Sequence, residues 1–392
     1  MPDDSEPLDP DSADNPSSSR RDFLKGKSAL NAIQKQTIAN LNLPVGVDSA
    51  QSVERQSAYL EQYSKNAMAC EFELLFNMHQ YPQAGATAML AFELIDKIED
   101  QMTVYRPHSE VSHLNRVAFD SPLLIENDLF ELLQLAKKIH AETNGAFDIT
   151  SSALTKLWGF DQRNGKLPDK AQIAESLKSV DSSAIKLVPN DKTIKFEILN
   201  LQINLGGIGK GHALDRVADL IETKGVNDFV IHGGQSSVLA RGHSTVAPQI
   251  SESDGLDSDI GWPVGVTHPT LPGVRLGEVR LRNQALGTSG SGRQGFFHKG
   301  KRYGHIIDPR TGWPASHFLS TTVISNSAAV SDALATAFFV MPLEEIESYC
   351  KTHPDVGAIV ALPGSKSKSN SPTTGHVEIA TFNLSDNQWQ QA

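Results

Sequence analysis

LQINLGGIGKGHALDRVADLIETKG, residues 201–225, reads as a strand, a glycine turn and a helix in direct succession. DFVIHGG (228–234) follows as a second strand ending in glycines. Outward from this core the same two periods alternate. AIKLVPNDKTIKFE (184–197) sets a turn-prone Pro-Asn-Asp between two alternating runs, the signal of a β-hairpin. WPVGVTHP and GVRLGEVRLRN have strand character, and TTVISNSAAVSDALATAFFVM (321–341) is a strand followed by a helix. PGSKSKSNSPTTG (363–375) is a loop between the final strand pair, GAIVAL and HVEIATF. Toward the N-terminus, NAMACEFELLFNM (66–78) is strand-like. A helix from about Pro82 carries the apolar stripe Met89, Phe92, Leu94, Ile95, Ile98 and Met102. Residues 121–145 read as a second helix with Gly145 as its C-cap, and 168–180 as a more polar third. The expected fold is α+β, with mainly antiparallel sheets and packed helices. It forms a single domain over 61–392 behind an N-terminal tail (1–60), with a polar, acidic insertion at about 243–260.

Composition narrows the function. The 392-residue chain is 39% hydrophobic and carries a net charge of −11, which argues against a nucleic-acid partner, whose electrostatic footprint would be basic. No run of eighteen apolar residues occurs, so no transmembrane segment is expected. Two distant cysteines, Cys70 and Cys350, exclude a Cys-rich zinc site and leave one disulfide open. SSSRRDFLKGKSAL (17–30) matches the twin-arginine export pattern through Arg20 and Arg21. The stretch after it is polar, with neither a small-residue cleavage site nor a lipid-accepting cysteine, so exported and cytoplasmic locations both stay open.

Five segments carry chemistry. GGIGKGHALDRV sets four glycines and Lys210 at a helix start, where backbone N–H groups and the helix dipole favour an anion. It is not a P-loop, because Asn204 and Gly211 stand where Gly and Ser/Thr are required. It is not the dinucleotide fingerprint, because His212 stands where Gly is required. Close strand–helix packing is the structural alternative. Asp332 and Thr336, at i and i+4, project two oxygens from one helix face and suit Mg2+. Helix-dipole compensation and a back-bonded threonine are the alternative there. Tyr105, on a loop after a long helix, could stack a planar ligand or serve packing. Asp148 in NGAFDIT follows a helix end, where a turn aspartate is equally expected. In YGHIIDPRTG (303–312), His305 is a candidate general base, with Asp308 or Arg310 to orient or stabilise anionic groups; a histidine on a strand edge is the alternative.

Taken together and in this order, VYRPHSEVSHLN, GAFDIT, NLGGIGKGHALDRVADLI, VIHGGQ, WPVGV, GTSGSG, GHIIDPRTG and SDALATAFFVM resemble the FAD:protein FMN transferase family, the ApbE-like enzymes once described as thiamine-biosynthesis lipoproteins. The resemblance runs from about Met68 to Met341 and implies a T-fold-like catalytic domain. It implies Mg2+-dependent transfer of FMN from FAD to a Ser or Thr hydroxyl of an acceptor flavoprotein, with release of AMP. It further implies Asp332, Thr336 and the Gly207 carbonyl as metal ligands, and His305 as the base. FAD contacts would come from Met68, Tyr105, Ala146, Phe147, Asp148, Asn204, Lys210 and Ile306. Asn204, His212, Gln235 and Ser291 depart from the usual family pattern, and the family's lipid anchor is absent. A Mg2+-dependent FAD pyrophosphatase yielding FMN and AMP, and an FAD-binding protein without turnover, are the competing readings. The acceptor itself is not legible.

Overall fold

The computed structural model describes residues 60–245, 261–290, 294–364 and 377–392. The N-terminal tail with Arg20 and Arg21, most of the polar insertion, most of the 363–375 loop, and Ser291 lie outside them. In chain order the strands are β1 (Leu60–Ala67), β2 (Cys70–Asn77), β3 (Leu123–Leu124), β4 (Ile185–Val188), β5 (Thr193–Phe196), β6 (Phe229–Gly233), β7 (Ser237–Arg241), β8 (Trp262–Thr267), β9 (Arg275–Leu281), β10 (Gln284–Gly290), β11 (Gly295–His298), β12 (Lys301–Gly304), β13 (Ser320–Ser325), β14 (Gly357–Pro363), β15 (Val377–Phe382) and β16 (Trp389–Gln391). The helices are α1 (Ala84–Met102), α2 (Glu110–Val117), α3 (Asn127–Glu142), α4 (Ser152–Leu157), α5 (Lys170–Leu177), α6 (Gly209–Thr223), α7 (Ala328–Val340) and α8 (Leu343–Thr352).

Eight strands form one antiparallel sheet in the order β1-β2-β6-β7-β10-β13-β14-β15. Its central strands are buried on both faces. Phe229, Ile231, Leu239, Ala285 and Val323 point into the large core shared with the helices. Their neighbours Val230, Val238, Leu286 and Ile324 point into a second core under the three-stranded sheet β16-β9-β8. Double-sided burial explains why adjacent apolar residues such as Val230–Ile231, Val238–Leu239 and Val323–Ile324 replace strict alternation in these strands. The expected α+β architecture with antiparallel sheets is therefore the observed one. The 184–197 hairpin forms as β4–β5, extended by β3.

Three local readings change. Residues 201–205 belong to no sheet, because the Asn115 amide takes both the N–H and the C=O of Ile203 (2.8 and 2.9 Å), as a neighbouring strand would. The helix expected over 121–145 begins only at Asn127, since Leu123 and Leu124 pair with β5. Gly145 does terminate it, at φ 76°, with its N–H on the His140 carbonyl. In α1, Met89 is 67% exposed while Ala84, Ala88 and Ala91 join Phe92, Ile95 and Ile98 on the buried face. Cys70 and Cys350 are both free thiols, and no helix among the described residues is long and apolar enough to cross a membrane.

Helix α7 sits closest to the sheet, with eleven of its thirteen residues buried. Two glycines permit this approach. A Cβ at Gly211 would overlap the Ala328 carbonyl, and one at Gly287 would overlap the Ser331 backbone. The obstacle in each case is backbone, which cannot rotate aside. Gly211→Ala should therefore lower stability by roughly 1–3 kcal/mol, the usual cost of overpacking, read as a lowered midpoint in thermal unfolding. Gly225→Ala, which meets no atom within 4 Å, should cost less, owing only to its φ of +75°.

Candidate active site

A cavity of about 530 Å³ opens where the loop before α4, the glycine turn before α6, the end of β10, the segment after β12 and helix α7 converge. Eleven of the residues singled out by sequence line it: Tyr105, Ala146, Phe147, Asp148, Asn204 and Gly207, then Lys210, His305, Ile306, Asp332 and Thr336. Met68 does not. With Ala69 it forms the two-residue β1–β2 turn, at φ 48° and 58°, and its side chain leans on the large core.

Asp332 lies in the second turn of α7, not its first, so dipole compensation does not account for it. Its carboxylate is 6% exposed. Oδ2 accepts the Gly211 N–H at the start of α6 (2.8 Å), with Lys210 Nζ at 3.7 Å. Oδ1 accepts no hydrogen bond among the described residues. One turn on, Thr336 Oγ1 donates weakly to the Asp332 carbonyl (3.3 Å) and meets Ser289 Oγ at 3.1 Å. Gly207 faces the same hydroxyl: a Cβ there would stand 3.6 Å from Thr336 Oγ1 and 3.3 Å from Phe147. Asn204 opens the glycine turn by accepting the Gly206 N–H on Oδ1 (2.8 Å), an Asx turn that a neutral amide closes as well as a carboxylate.

The relation of α6 to α7 is fixed by a residue that sequence reading passed over. Asp215, one turn beyond Gly211, accepts Ser327 Oγ, Ala328 N and Ala329 N (2.7, 2.7 and 3.0 Å), capping α7 from the neighbouring helix. Burial pushes its carboxyl pKa up, against these bonds. An aspartate within a helical run carries no sequence signal for this task.

The wall formed by Ala146 and Phe147 is held from behind by Asp148. Although Asp148 borders the cavity, its carboxylate accepts Thr150 N and Oγ1 (2.7 and 2.6 Å) and Ser182 N and Oγ (3.1 and 2.6 Å). His140 Nδ1 stands 3.2 Å from it and 3.0 Å from the Phe147 carbonyl. Asp148 is thus occupied in bracing the loop. Burial opposes both charges, but the pair prevails: the His140 pKa is raised and that of Asp148 lowered.

His305 follows β12 directly. Burial, and then the Arg302 charge, depress its pKa below the ordinary 6.5 against a hydrogen bond to the Gln294 backbone, so the ring is neutral at pH 7. Its Nδ1 is buried without a partner among the described residues. Among the described residues no bond joins Asp308 or Arg310 to its side chain. They pair with each other (Nε–Oδ1 3.0 Å, Nη2–Oδ2 3.2 Å) and brace the turn that Gly312 closes at φ 74°. Tyr105 stands at the cavity rim, 79% exposed. Of the departures from the family pattern, Gln235 lies in the β6–β7 turn at φ 63° and His212 in α6, its pKa lowered to about 4 chiefly by burial. Neither lines the cavity.

A family model described as the ApbE family matches residues 68–360, well over half of the chain. The chain belongs to the ApbE family. Among curated relatives, the FAD:protein FMN transferase of Klebsiella pneumoniae (strain 342) is 28% identical over 300 residues, covering 76% of this chain and 88% of that protein. Its counterpart from Treponema pallidum (strain Nichols) is 27% identical over 308 residues, covering 76% and 83%. The apo flavinyl transferase ApbE of Pseudomonas stutzeri shares the fold at a TM-score of 0.69 and 20% identity, covering 84% of this chain and 98% of that one. The Thermotoga maritima ApbE protein does so at 0.69 and 23% identity, covering 82% and 96%.

The donor set fits the divalent cation expected from the family resemblance. Among the described residues no three His, Cys, Asp or Glu side chains converge as a soft or borderline metal would want. One carboxylate with a free oxygen and one hydroxyl beside the glycine turn suit a hard ion that keeps several waters.

The His140–Asp148 pair makes stability depend on pH. The share of His140, whose pKa is raised above 6.5, is complete below pH 6.5 and fades as pH rises through the raised value. The share of Asp148, lowered from 3.8, is present above pH 3.8 and fades as pH falls through the lowered value. The coupling is fullest between about pH 4 and 6.5. Asp148→Asn should cost about 2 kcal/mol in that window, and a plot of unfolding midpoint against pH should be flatter for the variant than for the wild type.

Proposed function

We propose that this protein transfers FMN from FAD to a Ser or Thr hydroxyl of an acceptor protein and releases AMP. One observation carries the reading: Asp332, Thr336, Gly207, Lys210 and His305, from distant parts of the chain, line one cavity whose rim carries Tyr105. Asp332 Oδ1, Thr336 Oγ1 and the Gly207 carbonyl would hold Mg2+, which when bound neutralises pyrophosphate charge. The Lys210 ammonium, which also lines the cavity, binds the same anionic oxygens. Tyr105 supplies an aromatic face for the isoalloxazine, and Phe147 and Ile306 exclude water from the reacting bond. The acceptor oxygen attacks the FMN phosphorus, a new phosphoester forms, the P–O–P bridge breaks, and AMP leaves with the bridging oxygen. A neutral His305 takes the hydroxyl proton at Nδ1.

The direct test is AMP release from FAD with Mg2+ or EDTA, with and without an acceptor protein, alongside covalent flavin fluorescence on a denaturing gel. AMP that needs both Mg2+ and acceptor is the expected result. AMP with equal free FMN and no need for acceptor would make the protein a pyrophosphatase, and no AMP would leave a binding protein. Asp332→Ala should reduce turnover by at least about a hundredfold and remove its dependence on Mg2+ concentration. Tyr105→Ala should mainly raise the FAD dissociation constant.

Because the His305 pKa is depressed, its base form persists to lower pH, and the acid limb of the transfer rate should lie below pH 6.5. His305→Ala should keep FAD affinity and lose both transfer and that limb. A limb centred at or above pH 6.5, or one surviving in the variant, would remove His305 from the role.

A further inference from the structure

The transfer chemistry leaves the β11–β12 hairpin without a task. Its sequence, GFFHKGKRYG (295–304), holds Lys299, Lys301 and Arg302 and no acidic residue, in a chain of net charge −11. Lys299 and Gly300, at φ 48° and 78°, make the two-residue tip. One face is anchored. Phe296 and Tyr303 stack at 5.4 Å and lean on Trp158 at 6.3 and 5.5 Å. Phe296 also occupies the space that a side chain at Gly165 would need.

The opposite face is open. It carries the cross-strand pair Phe297 and Arg302, with Phe297 73% exposed. At its base, Gly304 would meet nothing within 4 Å even with a Cβ. Among the described residues neither strand pairs with any other strand, so no described strand takes the backbone donors and acceptors of their outer edges. Lys299, at the tip, and Lys301, whose ammonium lies 5.3 Å over the Tyr303 ring on the anchored face, are both exposed and have no carboxylate partner among the described residues. The strand leads straight into His305: at about 3.3 Å per residue, Lys301 stands roughly 13 Å from it along β12.

We propose that this hairpin is the docking surface for the acceptor, receiving an extended acidic segment of that polypeptide and leading its Ser or Thr hydroxyl to His305. The proposal rests on the transferase reading. Three features favour this occupant over the nucleotide. Lys299 and Lys301 lie outside the cavity lining. The cations are strung along a strand rather than converging on one point, as a phosphate would require. The exposed Phe297 ring, on the open face and outside the cavity lining, offers a polypeptide an apolar contact beside these charges. A strand added at the hairpin edge would align alternate side chains with these charges.

The test uses the full chain and two short dye-labelled peptides, each with a single threonine, differing only in Asp/Glu against Asn/Gln around it. Binding is read by fluorescence anisotropy. The acidic peptide should bind roughly tenfold tighter than the neutral one at low salt, and high salt should erase the difference. K299E/K301E should abolish the preference while FAD affinity, read by flavin fluorescence, stays at the wild-type value. Equal binding of the two peptides, or a preference surviving in K299E/K301E, would overturn the proposal. So would loss of FAD affinity in that variant, which would assign the lysines to the nucleotide. Lysine-dependent binding of phosphatidylserine vesicles without a peptide preference would assign them to a membrane surface instead. AMP release is followed in parallel. Its absence with the preference intact would sink the transferase reading alone, and its presence without a preference would sink the docking surface alone.

Discussion

The contact on which the rest depends is the seating of α7 against α6 and β10. A helix that places a carboxylate 6% exposed in a protein interior must supply that charge with partners, because an unpaired buried charge costs several kcal/mol. Here the partners are the Gly211 N–H and the Lys210 ammonium, both from the first turn of α6. They reach Asp332 only because Gly211 and Gly287 have no side chain to hold the helix away. Asp215 completes the joint from one turn further along α6, closing the exposed N–H groups at the start of α7. The same geometry that packs the core thus leaves one oxygen of Asp332 and the hydroxyl of Thr336 beside the glycine turn.

Three polar residues that border the cavity are held by bonds within the protein. Asn204 is tied into an Asx turn, and Asp148 is held by Thr150, Ser182 and His140. Thr336 is back-bonded to its own helix. Such anchoring limits the motion of these groups, and preorganisation of this kind is where most electrostatic catalysis arises. His305 is the contrast. Its Nδ1 has no partner among the described residues, and burial keeps the ring neutral. A group held rigidly would be a poor proton acceptor if its lone pair were already engaged. The free Nδ1 is what the role proposed for His305 requires.

Much of this was legible along the chain. The strand and helix periods give the α+β class, Gly145 marks a real helix end, and the quoted motifs bring eleven of twelve predicted site residues to one cavity. Met68 was the exception, placed in a tight turn where a two-residue β-hairpin needs positive φ. The misread segments have physical causes. Residues 201–205 satisfy the backbone through the Asn115 amide instead of a strand, a substitution without a periodic signature. Asp308 and Arg310, read from sequence as groups to orient or stabilise anions, pair with each other in the turn, a contact that sequence proximity alone does not announce.

What local chemistry can specify is the identity and order of the functional groups: a hydroxyl four residues after a carboxylate, glycines ahead of a lysine, a histidine before a tight turn. Periodicity and turn residues are short-range properties, so they survive in the sequence. Which oxygen of Asp332 is taken and which is free was decided only when two helices 121 residues apart met through a glycine. The same holds for Asp148, whose role as a brace depends on Ser182, 34 residues away, and for the depressed pKa of His305, which comes from burial. Burial and long-range hydrogen bonds belong to the assembled chain, because neither exists until the elements pack against one another.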